Sequence, residues 1–174
     1  MEVNNPLYKN QGIDTISCLF TVEKGVTKVL LIKRDNAPFK GMRALVGGAL
    51  YNNEELLEGA KREIKRETGI ENIELSMCNT FSKVDRSPVM RMIAVSYLGV
   101  IDAGKVKVLK KTLKTIDADW FPIDNIPKLA YDHNEILNDA LEKLKIAIIN
   151  SEFQNRYFQT VLQFQKFKKH MSLF

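Results

Sequence analysis

The chain is poor in the residues that staple small folds or hold soft metals. Two cysteines, Cys18 and Cys78, and two histidines are scattered over 174 residues, with no CxxC pair and no Cys/His cluster. That argues against a zinc site and a disulfide framework, and leaves little for a histidine-driven mechanism. Both cysteines are expected as buried thiols in a reducing compartment. Long apolar runs are also missing. The longest, MIAVSYLGVI, falls far short of the 20 or so residues that a membrane helix needs. The opening MEVNNPLYKNQG has neither the apolar core nor the cleavage site of a signal peptide. A cytoplasmic protein with no membrane association is the expectation.

What the chain does have is an ordinary globular composition, 45% hydrophobic and 27% charged. Its length suits one domain with a small appendage, able to bury roughly 70% of its unfolded surface. The net charge of +5 and pI near 9.1 favour anionic partners such as phosphates or nucleotides.

Along the chain, DTISCLFTVEKGVTKVLLIKRD reads as two strands turning at Lys24-Gly25, with VLLI a central strand covered on both faces. NAPFKG is a loop and RALVGG a short strand. Residues 53–69 are expected as a helix, with Leu56, Leu57, Ala60 and Ile64 as its buried stripe and Gly69 past its end. IELSMCNTFSKVD and MRMIAVSYLGVID form a strand pair around Arg86-Ser87-Pro88. DAGKVKVLKKTLKTID, with five lysines, reads as a solvated connector, and ADWFPI as a further strand. Asp132 and Glu135 form a capping box that opens a second helix with Ile136, Leu137, Ala140, Leu141 and Leu144 on its apolar face. The segment 151–174 is aromatic, Gln-rich and basic. This order predicts a mixed sheet between helices.

Glu63 and Glu67 stand at i and i+4, one turn apart on the same helix face. Two carboxylates that close repel each other unless a cation lies between them. A hard ion such as Mg²⁺ takes one or two carboxylates together with substrate phosphates. Gly47-Gly48 lie just before the helix, where backbone can approach a phosphate or ion closely. Glu54 and Arg62 are two turns apart and meet only if Glu54 sits in the loop and folds back.

The stretch from Gly48 to Ile70 resembles the box of the Nudix hydrolase (MutT-like) superfamily, GX5EX7REUXEEXGU, with U a bulky aliphatic. Gly48, Glu54, Arg62-Glu63, Ile64, Glu67, Gly69 and Ile70 match it, and Arg66 stands where the family has the first Glu of the final pair. VDRSPVMRMIAVSYLGVI and DADWFPIDNIPKLAYDHNEILNDALEKL are similar to the branch of ADP-ribose pyrophosphatases and Nudix-related transcriptional regulators, so that the likeness covers about 13–145. Two further departures are Arg43 and Val46, where the family often has Trp and the Pro of Pro-Gly-Gly, and Ser87 in an Asp-Arg-Asp-Pro run.

The resemblance implies an α/β/α sandwich with a mixed central sheet over residues 1–150. It leaves 151–174 as a helical extension too short for the winged helix of the regulators. It implies Mg²⁺- or Mn²⁺-dependent hydrolysis of a nucleoside diphosphate derivative such as ADP-ribose. Glu63 and Glu67 would be the catalytic and metal-holding carboxylates, with the Gly47 carbonyl as a further ligand. Gly48, Glu54, Arg62 and Gly69 would hold the box in shape. The alternative is a ligand-sensing module with hydrolysis weak or lost, because Arg66 sets a positive charge beside the metal position. Arg34, Arg43, Arg66, Arg86 and Arg91 are the candidates for phosphate or ribose contacts. A homodimer is expected, and nucleic acid is not.

Overall fold

The computed structural model describes residues 11–149, so the segment 151–174, expected as a helical extension, lies outside the described residues. β1 (Gln11–Glu23) and β2 (Val26–Arg34) form an antiparallel hairpin that turns through Lys24 and Gly25, both at positive φ. Glycine takes that conformation without steric cost. The two strands pair only near the turn, Phe20 to Glu23 with Val29 to Val26, and then separate.

RALVGG, expected as one strand, fills the gap as two. β3 (Arg43–Ala44) pairs with β2 and β4 (Val46–Ala49) pairs with β1, with Leu45 at the break. This wedge carries the paired glycines onto β1 opposite Thr15 and Ile16. On its other edge β1 runs parallel to β6 (Arg91–Val100), which pairs antiparallel with β5 (Ser76–Phe81). β7 (Thr115–Pro122) covers the remaining edge of β2. The result is a mixed seven-stranded sheet. Val29 to Ile32 of β2 are fully buried, as a two-faced central strand requires.

Two helices cover the sheet. α2 (His133–Ile149) buries Ile136, Leu137, Ala140 and Leu144 against Ile16, Cys18, Phe20 and Leu31. α1 (Leu56–Thr68) packs Ile64 on the face that carries Leu19, Leu30 and Val46. α1 starts three residues later than expected, because Glu54 turns back to accept the Tyr51 amide at 2.7 Å, and Glu55 with Glu58 forms the capping box instead. Leu57, expected in the stripe, is 40% exposed. The sheet-facing stripe contains Glu63 and Glu67 in addition to Ala60 and Ile64.

The α2 capping box is replaced by tertiary contacts. The Asp132 carboxylate accepts from Arg86 and the Glu135 carboxylate from Lys83. Cys18 is buried, whereas Cys78, on the edge strand β5, is half-buried. Burial raises the pKa of both thiols, that of Cys78 to about 11, so neither is a reactive thiolate. Among the described residues no helix is long and apolar enough to cross a membrane.

Candidate ligand-binding site

The β3–β4 wedge and α1 meet at Gly47-Gly48, and the two helix carboxylates converge there. A Cβ on Gly48 would stand 2.7 Å from the Glu63 carboxyl carbon, so glycine is what lets Glu63 approach the strand. One turn on, the Glu67 Oε2 accepts the Gly47 amide at 3.2 Å. Both glutamates are almost wholly buried. Burial pushes the Glu67 pKa up to about 7 against the pull of that amide, and the neighbouring Glu63 charge pushes the same way.

The loop before α1 is braced by one arginine. Arg62 Nε donates to Glu54 Oε2 at 2.7 Å and Nη2 to the other oxygen, a two-point pair that forms because Glu54 lies in the loop. Arg62 also donates to the Ala49 carbonyl at 3.0 Å and to Glu63, and its guanidinium lies 3.7 Å from the centre of the Tyr51 ring. The Arg62 hydrogen bond is the main cause that holds the Glu54 pKa down at about 2.

Arg66 reaches into the site. Its Nη2 donates to both oxygens of Glu63, and its Nη1 donates to the Tyr51 hydroxyl at 3.2 Å. Its Nε is buried without a partner among the described residues. Tyr51 therefore ties both arginines together. Sequence reading missed it because it falls in the free five-residue spacer of the box.

Glu63 is thus covered by two guanidinium groups. Among the described residues there is no group of three or more His, Cys, Asp or Glu side chains suited to a metal ion. A divalent cation beside Arg66 would meet a repulsion of roughly 4 kcal/mol per unit charge pair about 4 Å apart at an effective dielectric near 20. A divalent metal held by Glu63 and Glu67 would have to displace the Arg66 guanidinium from Glu63.

The remaining arginine candidates each have protein partners. Arg86 is buried and held by Asp14 at 3.0 Å and by both oxygens of Asp132 at 2.8 and 2.9 Å, which locks α2 to β1. Arg43 pairs with Asp117 at 2.6 Å and lies over Phe121. Arg34 donates to the Pro38 carbonyl at 3.1 Å and lies over Tyr131. Arg91 donates to the carbonyls of Ser82 and Lys83 at 2.7 and 2.9 Å. These contacts shape loops around the sheet. Among the described residues none of these contacts joins one of the four arginines to Glu63 or Glu67.

The chain is similar to proteins of one family in sequence and structure. It is 38% identical over 114 residues to an ADP-ribose pyrophosphatase of Methanocaldococcus jannaschii, covering 66% of each chain. It is 28% identical over 131 residues to the ADPR responsive transcriptional repressor NtrR of Acinetobacter baylyi, covering 72% of this chain and 51% of that protein. The matches thus span about two thirds and about half of the length of these relatives. The NUDIX domain of Shewanella oneidensis NrtR complexed with ADP ribose superposes with a TM-score of 0.73 at 25% identity, covering 80% of this chain and 93% of that one. One relative is a transcriptional repressor, so the expectation that nucleic acid is not a partner draws no support from the relatives. The NUDIX domain model matches residues 13–142, and the chain belongs to the Nudix family.

Proposed function

We propose that the chain binds a nucleoside diphosphate derivative, with ADP-ribose the first to test, and hydrolyses its pyrophosphate weakly or not at all. The observation that carries this is the Arg66 guanidinium on both oxygens of Glu63, where it stands in place of a cation. Its unpartnered Nε is a donor that a phosphate oxygen would satisfy. The names of the repressor and of the ADP-ribose complex support a ligand of this class.

A second reading is a metal-dependent pyrophosphohydrolase acting in a cytoplasmic homodimer. It is favoured by Glu67, which faces the same wedge as Glu63 and, among the described residues, has no side-chain cation bonded to it, and by the name of the M. jannaschii relative. Calorimetric titration with ADP-ribose, with and without Mg²⁺ or Mn²⁺, beside an assay for AMP release, separates the two. Micromolar-range binding without added metal and turnover at the background rate are expected. Fast, metal-dependent release of AMP would overturn the first reading in favour of the second.

A further inference from the structure

Tyr51, in the loop between β4 and α1, is held at three points. Its amide donates to Glu54 Oε1 at 2.7 Å, its ring centre lies 3.7 Å from the Arg62 guanidinium, and its hydroxyl accepts from Arg66 Nη1 at 3.2 Å. The residue is nevertheless 49% exposed, so burial of its ring accounts for only part of this placement. The hydroxyl end, which touches Arg66, needs a reason of its own.

The charges around Glu63 supply one. Arg62 and Arg66 both donate to the same oxygen of this buried carboxylate, Oε1, and two guanidinium groups that meet on one oxygen repel each other. Arg62 is tethered elsewhere, to Glu54 and to the Ala49 carbonyl. Arg66 has no such second anion. It grips both oxygens of Glu63 through one nitrogen, Nη2, and a guanidinium held by a single nitrogen swings about it. Among the described residues, the Tyr51 hydroxyl is the one further hydrogen-bond partner of the Arg66 side chain. With Nη1 and Nη2 both pinned, the plane of the guanidinium is fixed, and so is the direction of its unpartnered Nε.

We propose that Tyr51 is the positioning residue that keeps Arg66 on Glu63, and so sets the preference of the site for a diphosphate by itself over a divalent cation. This rests on the ligand class proposed above. With the hydroxyl in place, Glu63 is neutralised by the chain and a phosphate oxygen meets a fixed N–H donor. Without it, Arg66 is released towards solvent. Glu63 then keeps Arg62, which Glu54 already opposes, and the two carboxylates one turn apart favour a cation.

The test uses the full chain with Tyr51→Phe, which keeps a ring against Arg62 and removes only the oxygen, with Arg66→Ala, and with the two combined. Calorimetry reads ADP-ribose and inorganic pyrophosphate without metal, and Mn²⁺ without nucleotide. Tyr51→Phe is expected to raise Kd for both anions about threefold or more, and to tighten Mn²⁺ binding by a similar factor. In the Arg66→Ala background the same change should leave Mn²⁺ affinity within about twofold, because the group that Tyr51 acts through is gone. Thermal melting of each variant reports folding. A hydroxyl that only supports the loop would weaken anions and Mn²⁺ together and act alike in both backgrounds, and that result overturns the proposal. If the parent binds ADP-ribose without metal and Tyr51→Phe changes neither affinity, Tyr51 does not position Arg66 and the ligand class stands. If the parent binds no nucleoside diphosphate without metal, both proposals fall together.

Discussion

At the residue scale the site turns on which charges are compensated. Arg66→Glu removes the guanidinium from Glu63 and sets three carboxylates on one helix end. Metal affinity should then appear in a Mn²⁺ titration where the parent shows little, and turnover should rise tenfold or more if about 1.4 kcal/mol of transition-state stabilisation is restored. Unchanged metal affinity and unchanged turnover would show that Arg66 does not block the site. Two buried groups also set opposite pH slopes. The Glu67 pKa rises from 4.5 to about 7, so the folded state holds its proton more tightly and stability falls as pH rises through that window. Burial lowers the pKa of His133, whose Nδ1 accepts the Leu45 amide at 3.0 Å, from 6.5 to about 3, so stability falls as pH drops from 6.5 towards 3. Between pH 4.5 and 6.5 the two slopes cancel. Glu67→Gln keeps an acceptor for the Gly47 amide and removes one slope. Urea unfolding in the absence of metal should then show the variant gaining roughly 2 kcal/mol from pH 5 to 6.5 relative to the parent. An unchanged profile would mean that Glu67 is ionised throughout. Glu63 and Glu67 were legible in sequence from their one-turn spacing, and Gly48, Glu54 and Arg62 from the resemblance to the family's box. Tyr51 was not, because its role depends on which loop lies against which.

At the element scale, the helix end and the connector act as one unit through Gly69. It ends α1 at φ 75°, returning its amide to the Lys65 carbonyl, and its bare Cα receives Leu109. Gly69→Ala imposes a left-handed alanine, at about 1–2 kcal/mol, and drives Leu109 off the helix end. Chemical denaturation should show that loss. ADP-ribose affinity should fall as well, because the end of α1 that carries Glu67 is displaced. Full affinity in a destabilised Gly69→Ala protein would uncouple the two elements. Periodicity placed both helices and nearly every strand, since buried apolar stripes leave a clear imprint. It misplaced the start of α1 because Asn53 and Glu54 continue a helical pattern locally, whereas Glu54 turns back to the Tyr51 amide and to Arg62, and Glu55 caps the helix. It read the connector as solvated because lysines hide the Val106 and Val108 anchors, whose partners are far away in sequence.

At the scale of the whole molecule the open questions are charge and assembly. The surplus of +5 is concentrated in part in 151–174, where Arg156, Lys166, Lys168 and Lys169 stand against one acid, Glu152. The same segment holds Phe153, Tyr157, Phe158, Phe164 and Phe167, which is more aromatic surface than solvation favours. The described domain offers apolar surface at the end of α2, where Ile146 is 58% exposed. A segment with this composition has two physical uses: covering apolar surface on its own domain or on a second copy, or stacking on nucleic-acid bases with its lysines on phosphates. Hydrophobic burial is insensitive to salt, whereas phosphate contacts weaken steeply with it. We expect the first use. Deletion of 151–174 should lower the melting temperature, or turn a dimer into a monomer in light scattering, with little difference between low and high salt. If the deletion leaves melting and mass per particle per subunit unchanged but abolishes a salt-sensitive retention on DNA, the segment is a nucleic-acid arm, and a ligand-responsive DNA-binding role takes the place of a purely metabolic one.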